Sequence, residues 1–477
     1  MNDQKATAIK EFTPTAPMTP PTARTAADSR TPKPIAAAEV PSPESVAAEL
    51  VPDSARLSAM IDAIAEVSDP SPGVTRLAWT RTERRAHDLV AGWYRALGLK
   101  VWIDAVGNTI AELPGNRPAA LGTGSHLDSV PAGGRFDGIA GVIAGVEVAR
   151  LLVENGVRLE HSVRFVAFTA EEGARFGQAC LGSKAVAGML EESKLWSLRD
   201  ADGISVAEAM QRVGLDPGRL AEARWAPRDW VAFLELHVEQ GGVLEAAGLP
   251  IGIVDLVSGS TRVAVEVRGR ATHTGSTPMA LRADALTAAA EIVLMAEAIA
   301  NDPRHRGTRA SIGVLQVEPG SITTIPGRTT FTLDVRDVDS DRQRGTVTEI
   351  VRRAKEICDR RRVAMTVRPI GDSSPVVLPI WLRQTIADVC AEADLPYRVL
   401  TSGASHDCQM VNRVVPAALI FVPSQGGLSH VPEEWTSAAD LAVGTRVLLH
   451  GLLRIDRRLM ELERAAARTG EESDEQH

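Results

Sequence analysis

A nearly unbroken apolar run, SVRFVAFTA over 162–170, ends in two adjacent carboxylates, Glu171 and Glu172. The run has the length and residue types of a buried strand. Two carboxylates directly after such a strand are costly unless a cation compensates them. Whatever this chain folds into must therefore bring compensating groups to that strand end. The neighbouring segments fit an α/β core. RTERRAHDLVAGWYRAL has helical spacing and stops at Gly98, VWIDAVGNTIAEL reads as strands around a Gly-Asn turn, and ALGTGSHLDSV reads as a strand entering a polar loop. GIAGVIAGVEVARLLVENG is a small-residue helix closing at Gly156. Strands alternating with helices place functional groups at strand ends, where open α/β sheets build their sites.

The pattern changes after Leu249. TRVAVEVRGR alternates, DALTAAAEIVLMAEAIA is an Ala-rich helix, further alternating strands run to Val338, and DRQRGTVTEIVRRAKEICDRRR and VAMTVRPI add a helix and a strand. This strand–helix–strand–strand–helix–strand order is that of a split β-α-β sandwich. The expected organisation is a Pro/Ala-rich disordered extension over 1–52 and a discontinuous catalytic domain over 53–248 and 371–468. An α+β unit over 249–370 is inserted into it, and a frayed polar tail covers 469–477. At 477 residues the chain is long enough for two or more domains.

Composition excludes several classes. A net charge of -9 argues against a general nucleic-acid binder. No apolar run is long enough for a transmembrane helix, and the first twenty residues lack the apolar region of a secretory signal, so the expected location is the cytoplasm. Cys180, Cys358, Cys390 and Cys408 lack Cys-x-x-Cys spacing and make neither a disulfide scaffold nor a zinc knuckle. A nucleophilic role for Cys180 or Cys408 would need an adjacent base and positive surroundings. The glycine-rich GGRFDGIAG is not followed by Lys-Ser/Thr and is no Walker A loop. The basic helix over 342–362 carries interleaved acids and reads as a solvated face.

The histidines keep unusual company. His126 lies in GSHLDSV with Asp128 two residues on, Asp137 in GGRFDGIAG, His237 in LELHVEQG and His430 in GLSHVPEE. Singly, each is more often packing or surface than ligand, Glu171-Glu172 alone would be a solvated helix start, and Asp128 alone a turn former. Together they supply imidazoles and carboxylates in matching polar loops, a set that suits zinc, manganese or cobalt.

Seven blocks in order then carry a family resemblance: GSHLDSVPAGGRFDGIAGV, FTAEEGARFG, LELHVEQGGVLE, RGRATHTGSTPMALRADAL, IPGRTTFTLDVRD, SGASHDC and SHVPEE. The chain resembles the metallo-amidohydrolases that include N-carbamoyl-L-amino-acid hydrolases, allantoate amidohydrolases and β-ureidopropionases, within the M20-like group of two-metal aminopeptidase-like hydrolases. The similarity runs from about Thr75 to Trp435. It implies an aminopeptidase-like catalytic domain with a central mixed sheet and an inserted ferredoxin-like lid and dimerisation domain. It implies two divalent ions per subunit, one on His126 and His237, the other on Glu172 and His430, with Asp137 bridging. Asp128 then orients His126. Glu171 serves as general base and acid, pointing away from Glu172 if the strand end is extended. His273 is the implied oxyanion donor, serving its own site or that of the partner in a homodimer, and its bland reading is a hydrogen-bonded turn histidine. Gln240, Arg336 and His406 match substrate-contacting positions. Arg336 alone would be a surface arginine, with Arg328 its lesser rival, His406 a pocket wall, and Gln240 a solvated amide.

Two positions depart from the family pattern. Thr323 replaces the usual asparagine before Ile-Pro, offering one hydroxyl where an amide offered an acceptor and two donors. Ser405 replaces a usual glycine and narrows the pocket. The resemblance implies hydrolysis of a linear amide or ureido C–N bond of a small substrate, an N-carbamoyl-L-amino acid first. Allantoate hydrolysis, a dipeptidase or other amide hydrolase with an altered pocket, and a non-catalytic binding homologue are the alternatives.

Overall fold

The computed structural model describes residues 50–474, with side chains through residue 465. The extension expected over 1–52 lies outside the described residues except for its last three, and of these Leu50 already packs into the core. The chain begins with α1 (Ser54–Ala65) and α2 (Arg81–Ala96), then β1 (Lys100–Ile103), β2 (Thr109–Leu113), β3 (Arg117–His126), α3 (Ile139–Glu154) and β4 (His161–Phe168). Three short helices follow, α4 (Leu181–Val186), α5 (Glu192–Ser197) and α6 (Val206–Arg212), and then β5 (Trp230–Val238), α7 (Val243–Ala247) and β6 (Ile251–Val257). The middle of the chain forms β7 (Gly259–Arg268), α8 (Ala285–Ala300), β8 (Arg309–Glu318), β9 (Arg328–Asp337), α9 (Ser340–Arg361) and β10 (Ala364–Ser373). The last part forms β11 (Val376–Val377), α10 (Ile380–Glu392), β12 (Tyr397–Ser402), α11 (Asp407–Val411), β13 (Ala417–Val422) and α12 (Ala438–Asp474). The residues over 469–474, expected as a frayed tail, continue α12.

Two sheets result. The larger has nine strands in the order β1-β2-β4-β3-β5-β13-β6-β11, with β12 also on β6. Its centre, β4-β3-β5-β13, is parallel, and its flanks are mixed. Central strands in such a sheet are covered on both faces, and their sequences are correspondingly apolar throughout. β13 is buried along its whole length, and β3 along its last seven residues. Helix α3 is buried nearly all round, which its run of Gly, Ala and Val permits by letting the strands approach closely. With α12, α1 and the strands it forms one continuous apolar core.

The smaller sheet is antiparallel, in the order β10-β7-β9-β8, with α8 and α9 on one face. Along β9 burial alternates: Phe331, Leu333 and Val335 face the helices, while Asp334 and Arg336 face the other way. Strand β6, inside the segment 249–370 expected to form the insert, pairs with β13 and β12 in the larger sheet instead. Its sequence IGIVDLV is apolar on both faces, which suits the covered sheet and not the half-exposed one. The second sheet accordingly runs from Gly259 to Ser373. Among the described residues no helix is long and apolar enough to cross a membrane.

Candidate metal centre

The four central parallel strands all point their C-terminal ends the same way, and the polar residues singled out above gather there. His126 is the last residue of β3, and His237 the penultimate residue of β5. Glu171 and Glu172 follow β4, and His430 follows β13. Asp137 sits just before α3, where Gly138 adopts a φ of 71°. A side chain at Gly138 would place a Cβ 2.5 Å from the His126 ring, so the loop can pass the imidazole only with glycine there.

The imidazoles converge on Asp137. His126 Nε2 lies 3.4 Å and His237 Nε2 3.1 Å from Asp137 Oδ1, while His430 Nε2 lies 3.2 Å from Oδ2. The same His430 nitrogen is 3.2 Å from Glu172 Oε2. Two donor groups follow, His126–Asp137–His237 and Asp137–Glu172–His430, with Asp137 common to both. The sequence reading divides the residues the same way. A third group, Glu235–His237–His406, lies beneath the first and is fully buried.

Electrostatics shows what this arrangement demands. Burial pulls the His430 imidazole down, but hydrogen bonds with Asp137 and Glu172 outweigh it and carry it up to about 11. His126 and His237 are also raised: burial opposes, and the carboxylates of Asp128 and Asp137 prevail. Protons on imidazoles thus stand in for the positive charge the carboxylates require. Neutral imidazoles, a shared carboxylate and a second carboxylate are the donors that zinc, manganese or cobalt take up, so the residues present fit divalent cations.

Glu171 and Glu172 diverge, though not by strand alternation. β4 stops at Phe168, and Ala170 turns the chain in the left-handed region at φ 57°. Glu172 then reaches His430, whereas Glu171 lies 3.8 Å from His126 Nε2 and accepts the Cys180 thiol at 3.0 Å. Burial pushes the Glu171 carboxyl up to about 7, with the charge of His126 opposing and that of Glu172 adding. Cys180 is itself buried, and burial pushes its thiol well up, which suits a hydrogen-bond donor and not a nucleophile. Cys180, Gln240 and His430 are left-handed as well, at φ 59°, 58° and 61°. Such backbone strain, about 1–3 kcal/mol per residue, gathers at sites whose surroundings enforce it.

Asp128 meets His126 through both main chain and side chain. His126 Nδ1 bonds the Asp128 backbone carbonyl at 3.1 Å and lies 3.6 Å from the carboxylate Oδ1. The Asp128 carboxylate also accepts the backbone N–H groups of Glu171 at 2.8 Å and Glu172 at 3.1 Å. His237 Nδ1 likewise meets the Val238 carbonyl at 2.8 Å. Backbone carbonyls thus set both ring tautomers and leave Nε2 facing Asp137.

The substrate-contact candidates fall into two places. Gln240 joins the centre: its Nε2 donates to Asp137 Oδ2 at 2.6 Å, and its Oε1 is buried without a donor. His406 stands behind His237, ring edge to face at a centroid distance of 4.5 Å, and bonds Ser402 through Nε2. Burial holds it well below its ordinary value, so it is a neutral wall. Ser405 borders a cleft between Cys180 and the second sheet. His273 and Thr323 lie apart, on the second sheet's loops. The exposed His273 accepts the N–H groups of Gly275 and Ser276 through Nδ1 and bridges Thr324, while the Thr323 carbonyl accepts from Thr274. None of these bonds reaches the metal-centre residues. Arg336 meets Asp334 through Nε and Nη2 and the Gly403 carbonyl through Nη1 at 2.9 Å, so each guanidinium nitrogen has a partner and only the second N–H of Nη1 and of Nη2 stays uncommitted. Arg328 is taken up by Glu266 and Glu318.

Sequence reasoning missed Glu434 and Ser429. The Glu434 carboxylate accepts the N–H groups of Phe136 and Asp137, and the Ser429 hydroxyl lies 2.8 Å from both Glu434 Oε2 and Asp137 Oδ2, sharing its one proton between them. Together they fix the loop and aim the shared carboxylate. The only available signal was their place inside the SHVPEE block, which does not distinguish Glu434 from Glu433.

A mixed α/β sheet with a His/carboxylate cluster on its parallel strand ends has the build of a metal-dependent hydrolase. The description Peptidase family M20/M25/M40 matches residues 122–454. An N-carbamoyl-L-amino acid amidohydrolase of Geobacillus stearothermophilus is 45% identical over 83% of this chain and 97% of its own length. A ureidoglycolate hydrolase of Oryza sativa subsp. japonica is 34% identical over 84% of this chain and 85% of its own. The crystal structure of a hydantoinase/carbamoylase family amidase from Burkholderia vietnamiensis superposes with a TM-score of 0.79 at 34% identity, covering 85% of this chain and 98% of that one. The chain belongs to the M20/M25/M40 family and, within it, to the hydantoinase/carbamoylase group.

Proposed function

We infer that the protein is a metal-dependent amidohydrolase that cleaves the linear ureido C–N bond of an N-carbamoyl-L-amino acid or a related ureido acid. The observation that carries this reading is the Glu171 carboxyl, held at about 7 beside the His/carboxylate donor set. Two ions per subunit, zinc or else manganese or cobalt, fit the set, with His126 and His237 holding one, Glu172 and His430 the other, and Asp137 both. When bound, these ions would supply Lewis acidity to the attacking water and the substrate carbonyl.

The protein's own groups account for the remaining steps. A base at about 7 is half ionised near neutral pH, able to take a proton from water and return it to the leaving nitrogen. The Cys180 thiol and the fixed N–H of Glu171 hold that carboxylate in place. The unpaired Gln240 carbonyl oxygen wants a donor, and a carbamoyl NH2 brings two. Arg336 suits the substrate carboxylate through its uncommitted N–H groups. His273 suits the oxyanion, from its own subunit or from the partner of a homodimer. A homodimer through the second sheet is supported by the unpaired outer edge of β8 and by exposed Met279, Leu281 and Ile322 beside it in sequence or loop.

Ammonia release from metal-loaded protein tests the reading, on N-carbamoyl-L-amino acids, N-carbamoyl-β-alanine and allantoate, with dipeptides followed by amine release. Turnover of a ureido acid, releasing carbon dioxide, ammonia and the free amino compound, is expected. Turnover of dipeptides alone would overturn it.

A further inference from the structure

The cleft that borders Cys180 has a charge the reaction as described does not use. It lies between α4 and the face of the second sheet opposite its helices, opens to solvent, and is lined by Cys180, Lys184, Ser260, Arg262, Asp372 and Ser405. Lys184 makes no side-chain hydrogen bond or ion pair among the described residues, although it is largely shielded from solvent. Burial holds its ammonium below its ordinary value, and the charge of Arg262 works in the same direction. Arg262 and Arg336 share a single carboxylate, Asp334, at 3.2 and 3.1 Å. Asp372 on the wall is engaged by Arg344 and the Thr261 hydroxyl, and the charge of the Glu171 carboxylate behind Cys180 acts on Lys184. The cations that face this space therefore outnumber the acids free to balance them.

The position of the cleft gives that excess a meaning. Cys180 both lines it and donates to Glu171 Oε1, so the cleft opens beside the carboxylate that must meet the scissile bond. Arg262 lies opposite Asp334 in the sheet register, two residues along β9 from Arg336. Two residues of strand span roughly 6.8 Å. The carboxylate carbons of an extended glutamate are roughly 5 Å apart, from four C–C bonds near 1.5 Å. A dicarboxylic ligand can thus place one carboxylate at Arg336 and reach Arg262 and Lys184 with the other.

We propose that Lys184 and Arg262, with the hydroxyls of Ser260 and Ser405, form a subsite for a second carboxylate, and that the substrate is a ureido derivative of an acidic amino acid. The subsite rests on the amidohydrolase reading for its place beside the scissile bond, but the anion preference is measurable without turnover. The test compares kcat/KM for N-carbamoyl-L-glutamate and N-carbamoyl-L-glutamine, which match in shape and differ in charge. The metal-loaded wild type should favour the glutamate derivative at least tenfold. Lys184→Met should lower that ratio at least tenfold, and Lys184→Arg should keep it within threefold.

Calorimetry with N-acetyl-L-glutamate and N-acetyl-L-glutamine on the same proteins gives the second readout. A wild type that prefers the neutral derivative, or a Lys184→Met variant that loses both activities equally, overturns the subsite. So does equal binding of the two acetyl compounds. No hydrolysis of either carbamoyl compound, with a binding preference that needs Lys184, would leave the subsite standing and defeat the reaction instead.

Discussion

Strand β3 is buried along its last seven residues and ends on His126, whereas β9 alternates buried and half-buried positions and carries Arg336 on its open face. The two strands represent two ways of presenting a functional group. On the nine-stranded sheet, the donors of the metal centre sit where buried strands run out, and neighbouring strand ends, loops and backbone carbonyls fix each one. On the four-stranded sheet, His273, Thr323 and Arg336 sit on loops and an open face, tied to partners on the same sheet except for the bond from Arg336 to the Gly403 carbonyl. Groups of the first kind are pre-positioned by the core, and groups of the second kind depend on what docks against them.

The strongest test of this division is removal of the shared ligand. Asp137→Asn should leave a folded chain that loses at least one ion on gel filtration, with turnover down roughly 10⁴-fold or more. Chelation should do the same to the wild type and reverse on adding metal. Retained metal in Asp137→Asn would show that the strand ends do not act as one unit. Next, Glu171→Gln should lower kcat roughly 10³-fold with metal content unchanged, measured by single-turnover kinetics beside elemental analysis. A smaller drop, under tenfold, would remove Glu171 as the base.

On the second sheet the effects should be smaller and of another kind. Arg336→Lys should cost about 1–2 kcal/mol in kcat/KM, chiefly through KM, because a lysine cannot keep both Asp334 and the Gly403 carbonyl while meeting a carboxylate. A kcat loss at unchanged KM would erase the distinction between the sheets. The last effect falls on stability and not on turnover, and concerns the fully buried Glu83. Burial, and then the charge of Asp128, push its carboxyl from an ordinary 4.5 to about 7, while it accepts the Trp79 N–H and the Thr169 hydroxyl. Because the folded value is raised, this contribution to stability is fully present below pH 4.5 and is lost as pH rises through about 7. Urea unfolding of the wild type should therefore weaken by about 2–3 kcal/mol between pH 5 and 8 on this account. Glu83→Gln should flatten that slope, and an unchanged slope would place the proton elsewhere.

The two sheets also differ in how readily sequence gave them away. That the polar strand-end residues gather around Asp137 was legible because buried strands leave continuous apolar runs, and a polar group at the end of such a run is conspicuous. The second sheet was legible from its alternation, as in RTTFTLDVRD. The assignment of β6 failed because a short apolar run does not say which sheet will cover it. The geometry around Asp128 was readable only in part: the sequence shows a carboxylate two residues after a histidine, but not that two backbone N–H groups also claim the carboxylate and a backbone carbonyl takes the ring. Glu434 was hidden for a related reason, since its partners are main-chain groups nearly 300 positions away, and main-chain groups look alike in every sequence.

The Asp128 clamp bears on how such a centre could be rebuilt. Its carboxylate leaves the end of β3 and grips the main chain of Glu171 and Glu172 beyond β4, so the His126 imidazole and the Glu171 main chain are fastened to a single peg. Transplanting His126 and Glu171 into another scaffold as separate residues would omit the part that sets their spacing. Segments 126–128 and 169–172 form one transferable cassette, and a designer who keeps the parallel β3–β4 register inherits both groups already aligned.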